Sequence, residues 1–157
     1  MKKIFLGALC LLLCLGVSAK APVKIACVGN SITYGYTIEN RERDSYPAQL
    51  QRMLGEGYVV GNFGKSGATL LNKGHRPYMK QEEFQKALAF AGDIVVIHLG
   101  INDTDPRNWP DYRDFFVRDY LALIDSFRVV NPDVRILVAR MTPISDRHPR
   151  FESGTRD

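Results

Sequence analysis

Three residues of the 157-residue chain carry groups that acyl transfer needs. Ser31 offers a hydroxyl that can attack a carbonyl carbon once a base takes its proton. Gly67 lies in a glycine-containing segment with backbone N–H groups that can donate, and Asn102 carries an amide that donates without bearing a charge. A nucleophile with neutral donors for a developing oxyanion is the set of groups that ester cleavage requires.

Each of these residues follows an apolar run that is typical of a buried strand. The runs cover residues 23–28, 58–60 and 93–99, and a fourth covers residues 135–139. The stretches between them have apolar residues at helical spacing: Leu50, Met53 and Leu54; Phe84, Ala87 and Leu88; and Phe116, Tyr120, Leu123, Ile124 and Phe127. This alternation predicts an α/β fold of three layers, in which helices cover both faces of a parallel sheet.

That all three residues follow predicted strands is stronger evidence for a functional site than any one of them alone. In open parallel sheets ligands bind beyond the carboxyl ends of the strands, so the three are predicted to converge at one edge. Taken singly, Ser31 would be a helix N-cap and Gly67 a turn glycine. Asn102 would be a turn or cap residue that also happens to begin a glycosylation sequon.

The segments G-N-S-I-T, N-F-G-K-S-G-A-T and L-G-I-N-D resemble, in this order, the first three sequence blocks of the SGNH (GDSL-like) hydrolases. The resemblance covers residues 23 to about 143. The segments P-R-N-W at residues 106–109 and M-T-P at residues 141–143 are similar to secreted bacterial members described as sialate O-acetylesterase-like. The resemblance implies a sheet in flavodoxin-like order, with Ser31 as nucleophile. The backbone N–H groups of Ser31 and Gly67 and the amide of Asn102 would form the oxyanion hole, and no cofactor is implied.

Two features depart from the family pattern. Asn30 stands where the name-giving motif has aspartate, a position that does not take the serine proton. The family also draws its base and orienting acid from an Asp-x-x-His block, which this sequence lacks. The prediction is that the last strand and helix of the fold, and the catalytic base, lie beyond residue 157. His148 is the alternative base, whereas His75 follows the second strand and His98 lies inside the third.

The first 19 residues have the pattern of a secretory signal peptide, so the esterase domain is predicted to span residues 20–157 and to be secreted or periplasmic. The alternative is a membrane anchor, but a span needs about 20 apolar residues and the run here covers residues 4–15. The formal net charge is +4 without a charge run, so nucleic acid is not implied as a partner. Cys27, the one cysteine left after cleavage, is predicted to be a buried small hydrophobe.

The predicted substrate is a small acyl ester, with acetyl on a sugar favoured by the signal peptide and the family resemblance. A lysophospholipid or aryl ester is the alternative within the family, and a glycan-binding relative without catalysis is the alternative outside enzymes. Aromatic residues in predicted loops either wall the site or pack within their own loops: Tyr34, Tyr36, Tyr78 and Trp109.

Other chemistries have weaker support in the sequence. Residues 64–66, G-K-S, resemble the end of a phosphate-binding loop, but the required glycine five residues earlier is Val59. No cysteine pair or histidine cluster has the spacing of metal ligands. Asp103 and Asp105 lie in a turn-rich segment, where solvated or capping roles are favoured over paired catalysis.

Overall fold

A four-stranded parallel sheet forms the centre of the protein in the computed structural model, which describes residues 20–143. Along the chain the strands are β1 (Val23–Gly29), β2 (Tyr58–Gly64), β3 (Ile94–His98) and β4 (Arg135–Val138). They lie in the order β2-β1-β3-β4, so the chain starts inside the sheet and builds outward on both sides. The predicted α/β class and flavodoxin-like order are both confirmed.

Helices connect the parallel strands, because a parallel pair needs a crossover. Within the described residues they are α1 (Ser31–Tyr34), α2 (Arg41–Asp44), α3 (Tyr46–Leu54), α4 (Glu82–Phe90), α5 (Trp109–Tyr112) and α6 (Phe116–Val130). Short 3-10 turns lie at Gly55–Gly57, Tyr78–Lys80, Ile101–Thr104 and Arg113–Phe115.

The main core lies between the sheet and the pair α4 and α6. Its buried members from the strands are Ala26, Val28, Val95 and Ile97, and those from the helices are Phe84, Ala87, Leu123 and Phe127. On the opposite face, the thiol of Cys27 lies beside the ring hydroxyl of Tyr46 in α3. Burial raises the pKa of Cys27 to about 11, so this cysteine is the buried, inert residue that the sequence predicts.

The second strand is longer than the sequence predicts. The expected strand ends at residue 60 because residues 61–64 include two glycines, but β2 continues to Gly64, which pairs in register with Gly29. Both glycines are needed for space rather than for a turn. A Cβ on Gly61 would press into the ring of Phe63, and one on Gly64 would overlap the backbone of Tyr34. Glycine inside a strand here marks close approach.

The prediction of which α3 residues face the core is also partly wrong. Met53 has the spacing of a buried residue, yet 83% of its surface is exposed. The helix lies beside the edge strand β2, which the polar side chain of Gln51 contacts through hydrogen bonds. The Gln51 carboxamide accepts the Val60 N–H at 2.7 Å and donates to the Tyr58 carbonyl at 3.0 Å, and so takes the place of a neighbouring strand.

The predicted signal peptide of residues 1–19 and the alternative base His148 lie outside the described residues. Among residues 20–143, no helix combines the length and the apolar character needed to cross a membrane.

Candidate active site

The sheet brings the three predicted site segments to one edge. β1 lies between β2 and β3, and Gly29 is in register with Gly64 on one side and with His98 on the other. The loops that carry Ser31, Gly67 and Asn102 therefore leave the sheet at the same level, as the sequence predicts.

Asn30, rather than Ser31, caps the short helix α1. The Asn30 side chain is fully buried, and its Oδ1 accepts the Ile32 N–H at 3.0 Å. Ser31 is the first residue of α1, so its own N–H has no acceptor within the helix. The half-buried Ser31 hydroxyl makes no hydrogen bond within residues 20–143. The capping role that sequence reasoning offered as the alternative for Ser31 thus belongs to its neighbour.

Two glycines let α1 lie directly on the ends of β1 and β2. A Cβ on Gly29 would overlap the hydroxyl of Thr33, and one on Gly64 would overlap the Thr33–Tyr34 peptide. Any larger residue at either position would push α1 away from the sheet. The position of Ser31 relative to the other two strand ends therefore depends on these glycines.

Gly67 occupies a tight turn directly after β2. The Ala68 N–H donates to the Lys65 carbonyl at 3.1 Å, and Gly67 has a φ of 77°. A positive φ at the third residue of a four-residue turn is the signature of a type II turn, which favours glycine. The hydrogen bond that closes such a turn joins its first and last residues. It therefore involves neither the Ser66 carbonyl nor the Gly67 N–H, which are the two polar groups of the central peptide.

Asn102 is tied to this turn. It lies in the 3-10 turn after β3, and its Nδ2 donates to the Ala68 carbonyl at 2.8 Å. A carboxamide has two N–H donors, and within residues 20–143 the second makes no hydrogen bond. The Asn108 side chain in turn donates to the Asn102 carbonyl at 2.9 Å. The structure thus joins Asn102 to Ala68, the last residue of the Gly67 turn, through one hydrogen bond, whereas Ser31 shares their edge without a hydrogen bond to Gly67 or Asn102.

Asp103 is fully buried, which contradicts the expected solvated role in this loop. Its carboxylate accepts the N–H groups of Leu70 and Leu71 at 2.9 and 2.7 Å, so it holds the loop after β2 to the loop after β3. Burial raises the pKa of Asp103 to about 7, although these hydrogen bonds work in the opposite direction. Asp105 is buried too, and the Arg107 guanidinium lowers its pKa to about 2.

A second buried carboxylate, Asp119 of α6, accepts the Asn72 N–H at 2.8 Å and supports the same loop. Sequence reasoning missed it, although a signal was present. Asp119 follows Phe116 by three positions and precedes Leu123 by four, so it lies on the apolar side of the helix. A charged residue at such a position needs partners, and here they are the Asn72 N–H and the Arg118 guanidinium, which donates to Oδ1 at 3.0 Å.

The two histidines among the described residues, His75 and His98, contact residues other than Ser31. His98 is half-buried at the end of β3, where its Nε2 lies 3.4 Å from the Thr142 hydroxyl and burial lowers its pKa. His75 is exposed, and its Nδ1 lies 3.0 Å from the Nδ2 of Asn108. Neither makes a hydrogen bond to the Ser31 hydroxyl, so neither is identified as the base by its contacts.

The structure also shows the surroundings of other residues that the sequence singled out. Tyr78 is fully buried and donates to the Phe63 carbonyl at 2.7 Å, so it packs in the core and does not wall a site. Tyr36 is 65% exposed. The Lys65 ammonium pairs with Glu83 at 2.9 Å, which leaves no phosphate-binding arrangement at that residue. No cluster of three or more potential metal ligands occurs among residues 20–143.

An acetylxylan esterase of Xylanibacter ruminicola is 50% identical to this chain over 106 residues. That match covers 68% of this chain and 22% of the relative, so the chain spans about a fifth of that protein.

Solved structures share the fold. A family two carbohydrate esterase from Clostridium thermocellum, solved in complex with cellohexaose, is 25% identical with a TM-score of 0.61, over 82% of this chain and 46% of that one. The aryl esterase of M. smegmatis is 21% identical with a TM-score of 0.61, over 85% of this chain and 73% of that one.

The family model of the GDSL-like lipase/acylhydrolases matches residues 27–157, which include all three strand-end segments and nearly the whole sheet. On this match, the chain belongs to the GDSL-like lipase/acylhydrolase (SGNH) family.

Proposed function

We propose that this chain carries the site of a serine esterase that removes acetyl groups from a sugar through an acyl-enzyme. The observation that carries the proposal is the division of roles at the end of β1. Asn30 caps α1, so among residues 20–143 the Ser31 hydroxyl makes no hydrogen bond, and it lies on the same sheet edge as two donors.

In the proposed reaction, the Ser31 Oγ attacks the ester carbonyl carbon while a base takes its proton. The carbonyl oxygen becomes an oxyanion that accepts from the Gly67 N–H, the Ser31 N–H and the second N–H of the Asn102 amide. The C–O bond to the sugar then breaks, and the sugar oxygen leaves with a proton. Water repeats the sequence on the acyl-enzyme and releases acetate and free Ser31.

We propose that the proton acceptor is either His148 of this chain or a histidine beyond residue 157. The two are distinguished by replacing His148 with alanine in the full-length protein that contains these residues. Loss of turnover to the level of the Ser31 variant assigns the base to His148, and normal turnover assigns it elsewhere.

The proposed sugar ester rests on the relatives. The Xylanibacter ruminicola protein bears the name acetylxylan esterase, and the Clostridium thermocellum protein is a carbohydrate esterase solved with a cellulose fragment. A panel of acetylated xylan, p-nitrophenyl acetate, longer p-nitrophenyl esters and a lysophospholipid tests this part. Turnover confined to the long-chain esters or the lysophospholipid would contradict it, and binding of acetylated xylan without any hydrolysis would indicate a glycan-binding relative.

The test of the nucleophile is Ser31→Ala in the full-length protein, assayed with p-nitrophenyl acetate and acetylated xylan. Turnover is expected to fall by at least about 10⁴-fold, as it does when a serine nucleophile is lost. Ser126→Ala is the matched control, because its hydroxyl donates to the Ala122 carbonyl within α6, away from the loops that carry the site. Normal turnover by Ser31→Ala would mean that Ser31 is a structural residue.

The secreted or periplasmic location remains part of the proposal. It predicts that the mature protein begins at Lys20, which amino-terminal sequencing of the protein from its native host measures. A mature protein that retains residues 1–19 would contradict signal cleavage.

A further inference from the structure

Arg76 reaches back to the turn that contains Gly67. Its Nη1 donates to the Ser66 carbonyl at 3.0 Å, and the same nitrogen lies 3.4 Å from where a Cβ on Gly67 would be. The Arg76 backbone is held in place as well, because the Thr69 N–H donates to its carbonyl at 2.8 Å. The guanidinium is therefore delivered to the turn by a fixed segment of chain.

The Ser66 carbonyl and the Gly67 N–H belong to the same planar trans peptide, so they point in opposite directions. A donor that fixes the direction of the carbonyl also fixes the direction of the N–H. A hydrogen bond from a cation to the carbonyl further polarises the peptide and makes its N–H a stronger donor. Arg76 thus acts on the Gly67 N–H without touching it.

Nothing else among the described residues holds this peptide. The bond that closes the turn joins Lys65 to Ala68, and the Asn102 amide binds the Ala68 carbonyl. Type I and type II turns differ by a flip of the central peptide, and glycine tolerates both conformations. Gly67 therefore permits the observed orientation, and the contact with Arg76 selects it.

We propose that Arg76 is a positioning residue of the oxyanion hole, which holds the Ser66–Gly67 peptide so that the Gly67 N–H faces the developing oxyanion. The inference rests on the proposed function at Ser31. It adds a residue that touches no reacting atom and acts through the peptide that does.

The test compares Arg76→Ala, Arg76→Lys and Arg76→Gln in the full-length protein. Arg76→Ala is expected to lower kcat for p-nitrophenyl acetate by about tenfold, less than the ~10²–10³-fold of a lost oxyanion donor, with KM changed less than twofold. Arg76→Lys keeps a cationic donor and is expected to recover part of kcat, whereas Arg76→Gln recovers less. Arg128→Ala is the control, because Arg128 is exposed on α6 and bonds only Asp125.

A second readout does not need activity. With ¹⁵N-glycine labelling, the Gly67 amide signal is expected to shift in Arg76→Ala and to move back toward its original position in Arg76→Lys. A raised KM with unchanged kcat would show that Arg76 binds substrate and would overturn the inference. An unmoved Gly67 signal with normal kcat would also overturn it, while Ser31→Ala would still report separately on the proposed nucleophile.

Discussion

The loop edge, where the chain leaves the ends of β1, β2 and β3, buries polar side chains. The outer side, formed by β4 and α6, exposes apolar side chains. At the loop edge polar side chains have no exposed surface and bond the backbone, among them Asn30, Thr69, Asp103 and Asn108. On the β4 and α6 side, apolar side chains are exposed: Val117, Leu121, Val129, Leu137 and Val138. The loop edge is held by directional bonds, so single atoms there decide geometry, whereas the β4 side of this chain presents exposed apolar side chains.

β3, which ends at the loop edge, and β4, on the outer side, also differ in burial. Val95 and Ile97 of β3 have no exposed surface, while 41% of Leu137 and 55% of Val138 in β4 are exposed. Both runs are similarly apolar in sequence, so an apolar pattern predicts a strand and leaves its burial open. Burial depends on which elements pack against the strand.

The largest expected effect lies at the loop edge. Asn102→Ala is expected to lower kcat by about 10²–10³-fold with a smaller change in KM, because an oxyanion donor acts mainly as charge develops. Steady-state kinetics of the full-length protein measure both constants. Asn131→Ala is the matched control, since its amide also donates to one backbone carbonyl, that of Gly92 at 3.1 Å, away from the loop edge.

An unchanged kcat with a raised KM in Asn102→Ala would give this side chain a substrate-holding role. In that case the loop edge would differ from the β4 side in binding rather than in catalysis.

The next effect concerns the buried carboxylate. Asp103→Ala is expected to lower the free energy of unfolding by about 3 kcal/mol, because two buried N–H groups, of Leu70 and Leu71, lose their acceptor. Urea denaturation followed by fluorescence of Trp109, the single tryptophan of this chain, measures it. Asp125→Ala is the control, because Asp125 is an exposed residue of α6, and a change within about 0.5 kcal/mol is expected. Equal effects of the two changes would remove the contrast between the two edges.

The same carboxylate predicts a pH dependence. The pKa of Asp103 is raised to about 7 in the folded protein, so between about pH 4 and pH 7 the folded state binds more protons than the unfolded state. The free energy of unfolding is therefore expected to fall as pH rises through this window. Denaturation curves across the window measure it, and Asp103→Asn should flatten the slope. A stability that rises steadily through the window in the unaltered protein, and in the variant alike, would contradict this origin.

The smallest expected effect lies on the β4 side. In the 157-residue chain, Val138→Ser should change the free energy of unfolding by less than about 0.5 kcal/mol, because 55% of Val138 is exposed there. Val95→Ser in β3 is the comparison, and removing its buried methyl groups and burying a hydroxyl should cost about 2–4 kcal/mol. Similar costs for the two changes would mean that β4 is covered in the protein in solution.

The sequence was sufficient to predict the strands, because runs of apolar residues mark them directly. It misplaced the end of β2. Gly61 makes room for the ring of Phe63 two residues on, and Gly64 makes room for Tyr34, which only the folded chain brings near. The positions of Ser31, Gly67 and Asn102 at strand ends were predictable from the topology of parallel sheets.

The supporting bonds of the site were not predictable from the sequence. Asp103 finds its partners 32 and 33 residues away in the chain, and Arg76 finds the Ser66 carbonyl ten residues away. In the sequence both read as ordinary surface charges. The division between Asn30 as cap and Ser31 as free hydroxyl depends on one dihedral angle and one hydrogen bond, which residue types alone leave open.

The central claim is that Ser31 is the nucleophile, and covalent labelling tests it most directly. A fluorophosphonate that reacts with activated serines releases fluoride and leaves a phosphonyl group on the attacking oxygen. After treatment of the full-length protein, peptide mass spectrometry is expected to find one phosphonyl group per chain on Ser31, with parallel loss of esterase turnover and no adduct in Ser31→Ala. An active esterase labelled on another residue, with Ser31 unmodified, would contradict the account.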